Sequence, residues 1–165
     1  MNSVAELTIY SAGPLDLGND LPGWRQALSG ELESLGVRAV MFSPGAAYVC
    51  SSFGAGKVAT SRSHYIEATN RWALETANVM VVSFPKGVQS VGTPIEIEFA
   101  DLANVPIYII TDIEPGSSVY LDNRIPPGMF YKPTQESMAR LAEALYELSI
   151  GLCDDGCEPG LEKAE

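Results

Sequence analysis

The sequence predicts an α/β protein: a single Rossmann-like or flavodoxin-like domain, with a parallel sheet of about five strands and helices on both faces. Three observations lead there. Short apolar runs rich in β-branched residues alternate with segments whose apolar residues recur at helical spacing. The run Asn78–Phe84 is apolar almost throughout, as expected of a strand covered on both faces of a parallel sheet. The 165 residues, 46% of them hydrophobic, can bury one substantial core, and they show neither an internal repeat nor a second domain.

Val4 to Tyr10 reads as the first strand, ended by the turn Ser11-Ala12-Gly13-Pro14. Trp24, Ala27, Leu28, Leu32 and Leu35 follow at helical spacing, with Pro22 near the start and Gly36 as the stop. Val37–Phe42 is the second strand, closed by Ser43-Pro44-Gly45, and a loop rich in Gly, Ser and Ala runs to about Arg62. Tyr65, Thr69, Trp72, Ala73 and Thr76 mark one face of the second helix. After the strand Asn78–Phe84 come a helix over Thr93–Ala103, a strand over Pro106–Thr111 and a short strand at Val119-Tyr120-Leu121. Met138, Leu141, Ala142, Leu145 and Leu148 give the last helix, ending before Gly151. Residues 1–151 are thus the domain, and 152–165 an acidic, flexible tail carrying Asp154, Asp155, Glu158, Glu162 and Glu165 against Lys163.

Twenty-one acids against ten bases give a net charge of −11. Nucleic-acid polymers and anionic membranes are bound through Lys and Arg that neutralise phosphate, so this balance argues against both. A small phosphorylated molecule is still admitted, because one helix N-terminus and a few hydroxyls suffice locally. No apolar run approaches the ~18 residues of a membrane span, and no secretory leader is visible. Three cysteines do not make a disulfide framework, and Cys153 and Cys157 lack the partners of a zinc site. The expected location is the cytoplasm.

Ligands in open α/β sheets sit beyond the carboxyl ends of the strands. Those ends are Ser11–Asp16, Ser43–Lys57, Phe84–Thr93 and Asp112–Arg124. Gly54-Ala55-Gly56-Lys57 glances at a phosphate-binding loop, but Ser51 and Val58 stand where glycine and a hydroxyl residue are needed. Gln89-Ser90-Val91-Gly92 misses a nucleophile elbow because Val88 replaces the first glycine and the single histidine, His64, lies upstream. Thr93-Pro94-Ile95-Glu96 is more specific. It reads as a capping box with proline at the first helical position, in which Glu96 bonds the backbone of Thr93. It reads equally as an ionised carboxylate at the ligand edge, kept charged by the helix dipole and suited to nucleophilic catalysis. Periodicity does not separate the two.

Thr8-Ile9-Tyr10-Ser11-Ala12-Gly13-Pro14-Leu15 at the first strand end, with Asn78–Phe84 running into Ser90-Val91-Gly92-Thr93-Pro94-Ile95-Glu96-Ile97-Glu98-Phe99-Ala100, resembles the nucleoside 2-deoxyribosyltransferase family. The resemblance covers roughly residues 7–112 in element order. It implies cleavage of the N-glycosidic bond of a nucleoside or nucleoside 5′-monophosphate, by hydrolysis or by transfer of the sugar to another base. No metal or cofactor is implied. Glu96 matches the nucleophile that forms a glycosyl ester, and Tyr10 the hydroxyl that orients it, the double displacement of a retaining glycosidase. Glu98 lies about 200° further round the helix and is given no role.

The same resemblance assigns Ser11, Gly13, Leu15 and Asp16 of the first loop, and Asn70 of the second helix, to substrate contact. Ser90 stands where relatives acting on free nucleosides carry aspartate. Its hydroxyl, with the N–H groups of Gly92 and Thr93, suits a 5′-phosphate that aspartate would repel. Asn70 stands where many relatives have aspartate and cannot serve as an acid. Asn78 replaces a further aspartate and reads as a structural residue at the start of its strand. Tyr48 and Phe53 either stack on a base or simply pack. Members of the family form homo-oligomers in which a neighbouring subunit completes each site. Ser117–Arg124 occupies that position, with Asn123 a sugar contact and Arg124 a charge available to phosphate. The alternative is a nucleotide-binding module of the same fold without turnover.

Overall fold

In the computed structural model, residues 6–13, 23–44, 59–87 and 92–156 are described; the side chains of 59–66 and 153–156 are not. Five strands, β1 (Glu6–Ala12), β2 (Arg38–Phe42), β3 (Val79–Ser83), β4 (Ile107–Ile110) and β5 (Phe130–Tyr131), form one sheet in the order β2-β1-β3-β4-β5. Every pairing is parallel. The helices are α1 (Trp24–Ser34), α2 (Ala59–Glu75), α3 (Gly92–Leu102), the single turn α4 (Val119–Asp122) and α5 (Gln135–Gly156), with a 3₁₀ turn over Pro127–Met129. This is the α/β class that the alternating pattern predicts.

Strand parity divides the core into two layers. Leu7, Ile9, Val79, Val81 and Ile110 point to one face and pack against Leu28 and Leu32 of α1 and Leu141 and Leu145 of α5. Tyr10, Ala12, Met80, Val82 and Ile109 point to the other, against Leu74 of α2 and Ile97 and Ala100 of α3. All five residues of β3 are buried, which is why its sequence shows no polar alternation.

Gly36 stops α1 as expected: at φ +78° it takes the left-handed conformation that closes the helix, with Val37 N–H bonded to the Leu32 carbonyl at 3.0 Å. Asn78 ties β3 to β1. Its Oδ1 accepts from the Thr8 N–H at 2.8 Å, while its own N–H donates to the Thr8 carbonyl at 2.9 Å. Aspartate would supply the same acceptor. Asn78→Ala is expected to cost about 1–2 kcal/mol by leaving the Thr8 N–H unpaired, and Asn78→Asp much less. Denaturant titration of the two variants checks this.

Three sequence expectations are corrected. Val119-Tyr120-Leu121 is the turn α4, not a strand. The β-forming side chains lose to local capping: Ser118 Oγ accepts from the Leu121 N–H, and Asp122 accepts from the N–H groups of Gly116 and Ser118. The fifth strand is Phe130–Tyr131, after a chain reversal anchored by buried Ile125. Trp72 does not lie on the packed face of α2; it is 64% exposed, and Ala73 and Leu74 are buried instead. The last helix also runs through Gly151 to Gly156, so the stretch read as a tail begins helical. Among the described residues, no helix is long and apolar enough to cross a membrane.

Candidate functional site

The strand order reverses at β1, whose neighbours β2 and β3 are reached by connections on opposite sides. The crevice at the carboxyl ends of β1 and β3 is therefore the expected ligand position. A cavity of about 100 Å³ lies beside it, lined by Tyr10 of β1, Glu67, Asn70 and Leu74 of α2, and Gly92, Ile95, Glu96 and Phe99 of α3. A larger groove of about 450 Å³ lies between α1 and the start of α5, lined by Trp24, Ala27, Glu31, Thr134 and Met138 among others. Chemistry favours the smaller one, which among the described residues holds a hydrogen-bonded carboxylate and three further polar side chains.

Tyr10 is fully buried, stacked on Phe42 at 5.6 Å, and its hydroxyl donates to Glu96 Oε1 at 2.9 Å. The two residues are 86 positions apart. They meet because β1 feeds Tyr10 into the layer that α3 covers. Burial, then the charge of Glu96 and the hydrogen bond to it, raise the Tyr10 proton affinity far above the ordinary phenol value. Tyr10 thus remains a donor. Burial also raises the pKa of Glu96, opposed by the Tyr10 hydrogen bond and then by the charge of Arg25. One oxygen of the carboxylate is pinned by Tyr10, leaving the other to act on a ligand.

Arg25 is a residue that the sequence reading missed. It leaves the first turn of α1, lies over the Trp24 ring at 4.6 Å, and donates from Nε to Ser11 Oγ at 3.1 Å and from Nη2 to the Ser11 carbonyl at 3.3 Å. Nothing in an exposed-looking Trp-Arg-Gln segment announces this; only the packing of α1 beside β1 does. Because Tyr10 and Arg25 both favour the ionised carboxylate, Tyr10→Phe and Arg25→Gln should each move the Glu96 titration to higher pH, Tyr10→Phe further. Carbon-13 NMR of the labelled carboxyl measures both midpoints.

The remaining assigned residues fall into three groups. Asn70 and Gly92 line the cavity with Tyr10 and Glu96, and Asn70 Oδ1 is buried there without a hydrogen-bond partner among the described residues. Ser11 is fully buried, donating to the Phe42 carbonyl at 2.9 Å and accepting from Arg25, so it bears on the site through Arg25. Gly13 lies at the crevice against Ser83, and Thr93 is buried in the first turn of α3. Asn123, exposed at the end of α4, does not line the cavity. Leu15, Asp16 and Ser90, with Tyr48 and Phe53, lie outside the described residues.

Glu98 points away from Glu96, as its helical angle predicts. It accepts from Arg124 Nε at 2.8 Å, and the Arg124 guanidinium lies 4.4 Å from the Tyr120 ring centre. This corrects the view of Arg124 as a charge available to phosphate: its guanidinium is engaged by Glu98. Tyr120 completes the anchor by donating to the Pro94 carbonyl at 2.6 Å. Among the described residues, no group of three or more His, Cys, Asp or Glu side chains is placed to hold a metal ion.

No protein-family model matches the chain, and no curated protein matches it in sequence. Among solved structures, it is similar to the 2-deoxyribosyltransferase of the psychrotolerant bacterium Bacillus psychrosaccharolyticus, at 15% identity and a TM-score of 0.54, over 72% of this chain and 82% of that one. It is also similar to a conserved protein from Enterococcus faecalis V583, at 20% identity and a TM-score of 0.50, over 90% of this chain and 99% of that one. At these identities the likeness is one of fold, an α/β architecture shared with a nucleoside-processing enzyme.

Proposed function

We propose that this protein cleaves the N-glycosidic bond of a nucleoside or nucleoside 5′-monophosphate by double displacement, with Glu96 as nucleophile. The observation that carries this reading is the Tyr10–Glu96 hydrogen bond in a cavity at the ligand edge of the sheet. The free oxygen of Glu96 attacks the anomeric carbon while the carbon–nitrogen bond breaks and its electron pair leaves with the base. The transition state has oxocarbenium character, and the product is a glycosyl ester. Water or a second base then attacks the same carbon and returns the electrons to Glu96. Tyr10 holds the carboxylate in one orientation, so the attacking oxygen is placed before substrate arrives.

In this reading the start of α3, with Gly92, Thr93 and Ser90, receives a 5′-phosphate. Asn70 orients the sugar or base, and the 117–124 segment of a second copy brings Asn123 to the sugar. The chemistry needs no cofactor.

Chromatography of free base tests the reading. The protein and Glu96→Ala are incubated with each common ribo- and deoxyribonucleoside and 5′-monophosphate, with and without a second base. Release or exchange by the parent, lost in the variant, supports it. Release from monophosphates alone supports Ser90 as a phosphate contact. Nucleotide binding without release from any substrate overturns it in favour of a binding module.

A further inference from the structure

Resting on that reading, we infer that Glu67 is the second carboxyl of the site, giving a proton to the departing base and taking one from the group that attacks the ester. A double displacement of this kind uses two carboxyls, one as nucleophile and one as acid and then base. Among the described residues, four polar side chains line the cavity: Tyr10, Glu67, Asn70 and Glu96. Tyr10 spends its proton on Glu96 and holds it far too tightly to give it away. Asn70 has no proton to titrate. Glu67 remains.

Its placement suits the task. Glu67, Asn70 and Leu74 recur at i, i+3 and i+7 on α2, so one helical face turns all three to the cavity. Glu96 reaches the same cavity from α3. The two carboxyls also differ in surroundings. Glu96 is desolvated and bonded to Tyr10, whereas Glu67 is exposed. Asn70, one turn along from Glu67, presents a buried acceptor without a partner among the described residues, which a base N–H would satisfy. A base held by Asn70 lies along the α2 wall, within one helical turn of Glu67.

The steps balance. As the bond from the anomeric carbon to Glu96 forms, the Glu67 proton passes to the ring nitrogen that receives the electron pair of the breaking bond. Glu67, now a carboxylate, takes a proton from water or from the N–H of an incoming base as that group attacks. The ester bond breaks and Glu96 is free again.

The test compares an ordinary purine substrate with its N7-methylated, cationic counterpart, whose base leaves neutral and needs no proton. Wild type, Glu67→Gln and Glu96→Ala are assayed on both, with and without azide, an anionic nucleophile that needs no base. Glu67→Gln should lose about 10²-fold or more on the ordinary substrate. On the methylated substrate it should release a burst of one equivalent of base, then stall with the sugar on Glu96, detectable as added mass. Azide should restore turnover. Glu96→Ala should fail on both. A Glu67→Gln enzyme as fast as wild type, or a loss that neither the cationic base nor azide relieves, overturns the assignment and leaves the nucleophile intact. No release by wild type from either substrate overturns the glycosidic reading itself, and the role of Glu67 with it.

Discussion

Glu96→Gln is expected to lower turnover by about 10⁴-fold or more while raising the melting temperature by a few degrees. The loss follows because an amide oxygen cannot form the glycosyl ester, so a covalent route closes entirely. The gain follows from burial. The surroundings of Glu96 raise its pKa, chiefly by desolvation, so the folded chain binds its proton more tightly than the unfolded chain does. Between the ordinary carboxylate value and the raised one, the native state holds more proton, and stability falls as pH rises through that window. Above the raised value the full cost of the buried charge is present. The amide of the variant would remove that charge and still accept from the Tyr10 hydroxyl. Thermal melts across pH check the sign: the advantage of Glu96→Gln should grow as pH rises through the raised value and vanish below the ordinary carboxylate value. An advantage that does not grow as pH rises would contradict the desolvated carboxylate. A stability gain at the expense of activity is the pattern of a functional group held in an unfavourable place.

Gly13→Ala should be strongly damaging although it removes no charged or catalytic group. Gly13 has φ +153°, and a Cβ there would stand 3.1 Å from Ser83 Cβ and 3.2 Å from the Ser83 carbonyl. Both neighbours belong to the C-terminal end of β3, all five residues of which are buried. Backbone strain of this kind costs about 1–3 kcal/mol, or roughly 3–10 °C in melting temperature for a chain of this size. The shift also falls on the strand that carries Tyr10 and Ser11, the anchor of Arg25. Base release should therefore drop at least tenfold at a temperature where the variant is still folded. A folded variant with wild-type kinetics would show that the crevice tolerates displacement.

These two residues stand for how much of the protein the linear pattern reveals. Gly13 and Glu96 are visible as motif positions, and the layered α/β class follows from periodicity, since burial on both faces of β3 is written directly into Val79–Ser83. Gly36 and Asn78 are legible for the same reason: stops and strand starts depend on neighbours in the chain. Val119–Leu121 is misread because its side chains favour strands while Ser118 and Asp122, on either side, supply the bonds that make a turn. Trp72 is misplaced because helical spacing alone does not say which of two apolar stripes meets the sheet.

What the sequence determined by itself is the architecture, the carboxyl-end loops where function is to be sought, and the identity of Glu96 and Tyr10 as a pair worth testing. Only the tertiary structure added Arg25 and Glu67 to that pair and decided how Ser11 and Asn70 sit beside it. Arg25 and Ser11 come from one layer, Glu67 and Asn70 from the other, and Glu98 is turned outward to hold Arg124. The reason is physical. Secondary structure responds to interactions between residues a few positions apart, whereas a site at a sheet edge is assembled from chain segments tens of residues apart, and their contacts leave no period in the sequence.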